Sequence, residues 1–155
     1  MRVDSCSASS THPPAAGKTF GCMNAFDGTY EKTWATNGEG AGSWIKVNLV
    51  GTVTKFSYQH RQSKQGYWNK DIRLQFSDGS KQTYQLKEVS SVQTFTLSKA
   101  VTTTSVKIVV VSHYKKNNNG AAEIEFLGCA LNGLAPLNPL DQSEPALCTR
   151  EQSFK

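Results

Sequence analysis

From Ser43 onward, apolar and polar residues alternate in short runs separated by turn-forming residues. In SWIKVNL (43–49), Ile45, Val47 and Leu49 share one face, with Lys46 and Asn48 on the other. TKFSYQH (54–60) repeats the pattern with Phe56, Tyr58 and His60, and DIRLQF (71–76) sets Ile72, Leu74 and Phe76 against Asp71, Arg73 and Gln75. A period of two is that of a half-buried strand. Asp78-Gly79 is a turn signal, and KQTYQL returns with Tyr84 and Leu86, which predicts a hairpin. Phe95 and Leu97 mark a further short strand. The β-branched run SVKIVVV (105–111) predicts a central strand covered on both faces, and EIEFL (123–127) puts Ile124 and Phe126 on one face. About seven strands and no convincing helix predict an all-β sandwich or barrel. Residues 1–33 are rich in Ser, Thr, Gly and Pro, with few regular signals. After Cys129 the periodicity is lost, and three of the five prolines lie there. The chain therefore divides into a module over 1–129 and an extended tail over 130–155.

A length of 155 residues suits one domain with a real core. A hydrophobic content of 37% with 10% aromatics argues against global disorder. No apolar run approaches the ~18 residues of a membrane-spanning helix. Four cysteines, Cys6, Cys22, Cys129 and Cys148, form no CxxC pair and have no histidine at ligand spacing, which argues against zinc. Two near each end fit two disulfides that staple the chain ends, and hence an oxidising compartment and a secreted or extracellular protein. The alternative is four free thiols in a cytosolic protein, and three pairings stay open. The N-terminus MRVDSCSASS lacks the apolar stretch of a signal peptide, so a secreted product would be a mature form.

Charge adds a location. The excess of 17 Lys and Arg over 12 Asp and Glu, net +5, gathers partly in the loop HRQSKQGYWNK (60–70). An aromatic face there could stack on a sugar ring, while Arg and Asn hydrogen-bond hydroxyls in fixed geometry. The candidate ligand residues are His60, Arg61, Tyr67, Trp68 and Asn69, with Asn37 and Glu39 from TNGEG (36–40). Plainer readings stand beside these: Trp68 as core, His60 packed on the Phe56–Tyr58 face, Arg61 paired with a carboxylate, and Asn117–Asn119 as a solvated turn tip. NAFDGTYEK (24–32) is short, polar and turn-forming. It reads either as a calcium loop or as a turn capped by the Asp27 carboxylate. No nucleophile elbow, phosphate loop, metalloprotease motif or acid–base carboxylate pair occurs, so no catalytic residue and no enzyme is expected. A basic-aromatic loop also suits nucleic acid, but two disulfides argue against that partner.

Four stretches together resemble a known family. SCSASSTHPPAAGKTFGCMNAFDGTYEKTWAT, GSWIKVNLVG, YQHRQSKQGYWNKDIRLQFSDGS and NNNGAAEIEFLGC are similar, in order and spacing, to discoidin-type modules, over roughly residues 5–129. These include the coagulation factor V/VIII type C domains and the family 32 carbohydrate-binding modules. Asp27 and Trp34 keep the family's seven-residue spacing, while Asn48 and Val50 depart from its strand motif. The resemblance implies a jelly-roll β-sandwich of the galactose-binding-like fold. Its neighbouring first and last strands favour Cys6–Cys129, which leaves Cys22–Cys148 and a tail tied back by that bridge. It implies a structural calcium held by the Asp27 and Glu123 side chains and by backbone oxygens of Asn24 or Ala25, Tyr30, Lys32 and Ala122, although Lys32 stands where the family often has Thr. It also implies a non-catalytic, extracellular, lectin-like module that binds a glycan through loops at one end of the sandwich. Arg61 and Asn69 match the sugar-contacting positions, and Tyr114 or His113 offers a stacking ring from a late loop. The alternative that the resemblance carries is binding of an anionic phospholipid membrane, a glycosaminoglycan or a protein partner in cell adhesion, with Tyr67-Trp68 as the apolar tip.

Overall fold

Strands form where the alternation predicts them, but in longer pieces. The computed structural model describes residues 3, 5–62, 65–130 and 152–154. Its strands are β1 (Cys6–Ala8), β2 (Trp34–Ala35), β3 (Trp44–Gln59), β4 (Asn69–Phe76), β5 (Lys81–Gln85), β6 (Gln93–His113), β7 (Gly120–Ala121), β8 (Glu123–Ala130) and β9 (Gln152–Phe154). Two single-turn 3-10 helices, Cys22–Ala25 and Gln65–Tyr67, complete the elements. The runs 43–49 and 54–60 are one strand, β3. Register shifts between Asn48 and Gly51, and between Val53 and Lys55, absorb what the sequence presents as a break. The Phe95–Leu97 and 105–111 runs likewise join in the 21-residue β6.

The strand order is β5-β4-β6-β3-β8-β9, with β1 added on β3 and a separate β2–β7 pair, all antiparallel. β1 covers Ile45–Val47 and β8 covers Gly51–Gln59, one after the other along the edge of β3 that faces away from β6. Bulges bend a strand and raise its local twist. The second half of β3 thereby turns to face the β4–β5 hairpin: the Phe56 ring meets Tyr84 of β5 edge-on at 4.8 Å and stacks on Phe95 at 5.0 Å. The result is the jelly-roll sandwich that the resemblance implies. Its core is built from the inward residues of both layers, among them Trp34, Ile45, Val47, Phe56, Ile72, Leu74, Leu86, Ile124 and Phe126. Each such burial stabilises by roughly 1.5–3 kcal/mol.

The hairpin signal at Asp78-Gly79 is realised. β4 and β5 pair, Gly79 has φ 85°, and Asp78 Oδ1 accepts from the Ser80 N–H at 2.8 Å. The expected two-sided cover of 105–111 is not found. Val106, Ile108 and Val110 face the core, but Val111 is 43% exposed and Lys107 lies with Nζ 4.3 Å from the Trp44 ring on the outer face.

The disulfide pairing also differs from expectation. Cys6 bonds Cys22, with Cα atoms 6.0 Å apart. The register explains why Cys6–Cys129 does not form. Cys6 stands opposite Val47 and Cys129 opposite Thr52. Five residues of strand put them roughly 16 Å apart along the same edge, far beyond disulfide reach. Because Cys22 is committed to Cys6, the Cys22–Cys148 pairing falls too. Cys129 is itself disulfide-bonded. Cys148 and the tie of the tail lie outside the described residues. Near the chain end, β9 adds to β8 with Phe126 opposite Phe154.

Candidate functional site

The loops between β3 and β4 and between β6 and β7 meet at one end of the sandwich. β3 delivers His60 and Arg61 as it ends, and the 3-10 turn Gln65–Tyr67 carries the chain to β4. A backbone hydrogen bond from the Lys116 N–H to the Gly66 carbonyl (2.6 Å) and one from the Tyr114 N–H to the Trp68 carbonyl (2.9 Å) join the two loops. The Arg61 Nη1 donates to the Asn118 carbonyl and completes the join.

Several predicted ligand residues prove to be support for this end. Trp68 is 2% exposed: its Nε1–H donates to the Arg61 carbonyl at 2.8 Å, and its ring stacks on His60 at 4.7 Å. His60 is fully buried, with Nε2 bonded to the Lys87 carbonyl at 3.0 Å. Neither ring presents a face to a sugar, because the hydrophobic end of the core continues under the loop and takes both. Asn69 is buried as well. Its amide donates to the Tyr58 hydroxyl (2.7 Å) and its Oδ1 accepts from Asn119 (2.8 Å). Asn119, read from sequence as a solvated tip, is buried and also bonds Ser43 and Thr36. These bonds satisfy amides that would otherwise be costly inside. Burial pushes the Tyr58 phenol up, so it stays a neutral member of the network, donating to the Gly120 carbonyl at 2.8 Å. Tyr114 turns away, its hydroxyl donating to the Leu86 carbonyl at 2.7 Å.

Two surfaces remain. One is a crest where Asn37 and Glu39 are exposed and His113 lies beside Gly40. Gly40, at φ 65°, has no room for a side chain: a Cβ there would stand 2.9 Å from His113 Nε2. The Asn37 N–H donates to Ser10 Oγ (3.0 Å), and the Ser9 hydroxyl donates to Glu39. The second is a cleft of about 680 Å³ lined by residues 17–20, 30–33, Arg61 and Gln62. Its wall is the Arg61 guanidinium, held between the Phe20 ring (5.7 Å) and the Tyr67 ring (5.5 Å). Its rim is Tyr30, 46% exposed, with Lys18. Of the predicted ligand residues, the structure brings only Arg61 to this cleft, with Tyr67 behind it. Phe20 and Lys18 were missed, since they sit in the unpatterned N-terminal stretch. Tyr30 was read for its carbonyl, not its ring.

The Asp27 carboxylate is engaged by its own loop. Asp27 Oδ1 accepts from the Thr29 N–H (2.9 Å) and hydroxyl (2.7 Å), and Oδ2 faces the Lys32 ammonium at 3.6 Å. A metal cation there would have to displace the lysine. The Asn24 amide donates to the Thr19 and Thr33 carbonyls (2.8 and 3.2 Å) and so fastens the loop from within. Ala25, Ala122 and Glu123 are buried, and the Ala122 N–H donates to Gln59. Among the described residues no group of three or more His, Cys, Asp or Glu is placed to hold a metal ion.

Solved structures of other proteins share this fold. The 155-residue chain superposes on the family 32 module of NanJ from Clostridium perfringens, solved with galactose, with TM-score 0.63 and 18% identity, covering 79% of this chain and 91% of that one. A second family 32 module of C. perfringens, solved with GalNAc-β-1,3-galactose, gives TM-score 0.65 and 22% identity over 81% and 94%. The lectin domain of lectinolysin, complexed with Lewis B antigen, gives 0.61 and 20% over 83% and 95%. At these identities the likeness is one of fold. No curated protein sequence matches significantly. The sequence model of the F5/8 type C domain matches residues 5–126, most of the chain, and the protein belongs to the F5/8 type C domain family.

Proposed function

We propose that this protein is a non-catalytic carbohydrate-binding module that acts outside the cell and binds a glycan in the Phe20–Tyr30–Arg61 cleft. The observation that supports it most is the guanidinium of Arg61, fixed by two aromatic rings and the Asn118 carbonyl at the wall of an open cleft. A donor so fixed loses little freedom on binding a hydroxyl, and the half-exposed Tyr30 ring offers the apolar face a pyranose needs. The structural neighbours solved with galactose, GalNAc-galactose and Lewis B antigen support the same ligand class. The Cys6–Cys22 disulfide supports an oxidising compartment.

A glycan array tests this. Wild-type protein is expected to bind a defined glycan set, and Tyr30→Ala to weaken that binding by roughly tenfold or more without change in fold, given the usual worth of an aromatic contact. Full binding by Tyr30→Ala and Arg61→Gln, both folded, would remove the cleft from consideration. Trp68→Ala is a poor probe, since it opens a core cavity at a cost of roughly 3–5 kcal/mol.

A further inference from the structure

The cleft carries more positive charge than a neutral sugar requires. Lys18, Lys32 and Arg61 line it against the single carboxylate of Glu31. Lys32 is partly committed to Asp27. Arg61 has no such partner among the described residues. It is 7% exposed, and among the described residues it makes no ion pair. Nη1 is used by the Asn118 carbonyl, while Nε is buried with no hydrogen bond. A desolvated guanidinium without an anion is an expensive arrangement, only partly offset by the Phe20 and Tyr67 rings.

Lys18 stands at the rim by design of the backbone. Ala15 and Lys18 exchange two backbone hydrogen bonds (3.1 and 3.0 Å) around Ala16 and Gly17, whose φ angles are 50° and 72°. That is the signature of a tight two-residue hairpin turn with both central residues left-handed. The turn places the exposed Lys18 in the lining of the same cleft that Arg61 walls.

We propose that the cleft takes an acidic sugar, a uronic acid residue of a polysaccharide, with its carboxylate received between Arg61 and Lys18 and its ring against Tyr30. The inference rests on the glycan-binding reading and deepens it. A carboxylate would receive charge-assisted hydrogen bonds from a guanidinium that is already desolvated and oriented. A neutral sugar would leave that charge uncompensated.

The test is calorimetric titration with an oligogalacturonate and with its methyl ester, which has the same rings without the charge. The acid is expected to bind about tenfold or more tightly than the ester, with the gap narrowing as salt is raised. Lys18→Glu, an exposed change that keeps the fold, is expected to abolish the preference. Equal binding of acid and ester, or a preference that survives Lys18→Glu, overturns the inference. If a neutral glycan binds on the array but the oligogalacturonate does not, the acidic-sugar inference fails while the carbohydrate reading stands. If nothing binds on the array or in the titration, both fail.

Discussion

His60 shows what a single residue gains from its place. Desolvation holds its imidazole at about 4, against an ordinary 6.5. The Lys87 carbonyl can only accept, so Nε2 carries the proton of the neutral ring. Between about pH 6.5 and about pH 4 the unfolded chain takes up a proton that the folded chain refuses. Stability from this residue is therefore complete above that window and is lost as pH falls through it, by up to about 3 kcal/mol. Urea unfolding at the two ends of the window should show the loss, and His60→Gln, which keeps a donor but does not titrate, should flatten the slope. An unchanged slope in that variant would assign the effect elsewhere. The sequence marks His60 as following Phe56 and Tyr58 on one face, and the packed reading was legible there. That Trp68 stacks on it was not, because nothing local says which side of the loop is roofed.

Among the elements, the Asp27 loop and β8 make separate statements. In the loop, Thr29 and Lys32 already serve the carboxylate that calcium would need. The melting temperature is expected to be the same in calcium and in EDTA. A rise of several degrees in calcium would show that the ion displaces the lysine. In β8, Gly128 passes so close to β3 that a Cβ would stand 1.9 Å from the Thr52 carbonyl oxygen. This is the point where the β3–β8 register slips between Val53 and Lys55. Glycine lets the backbones close over the irregularity. Gly128→Ala is expected to cost about 3 kcal/mol in chemical denaturation. A loss of only a few tenths would mean the strands can part without penalty. The bulges also explain why β3 reads as two strands: an extra residue shifts the alternation, and a shifted alternation looks like a turn.

For the whole molecule, the Cys6–Cys22 bridge matters beyond stability. It closes a loop of sequence separation 16 that contains Lys18 and Phe20. Removing it in a Cys6→Ala, Cys22→Ala double variant should lower stability by roughly 3 kcal/mol through the freed unfolded chain. The same variant should bind glycan more weakly, since two of the cleft's side chains lose their anchor. Thermal unfolding together with the array measures both, and an unaltered melting temperature would contradict the first expectation.

The main alternating strand runs, the hairpin at Asp78-Gly79 and the family were readable from the chain alone, because alternation, turn chemistry and motif order are properties of neighbours in sequence, whereas the short β1, β2, β7 and β9 were not. The partner of Cys6, the burial of Trp68, His60 and Asn69, and the lysine at Asp27 were decided by the fold. So was the cleft, where Arg61 meets Phe20 from one loop and the Asn118 carbonyl from another. These depend on registers between strands tens of residues apart. A local pattern can say that a side chain points inward or outward, but not what it will find there.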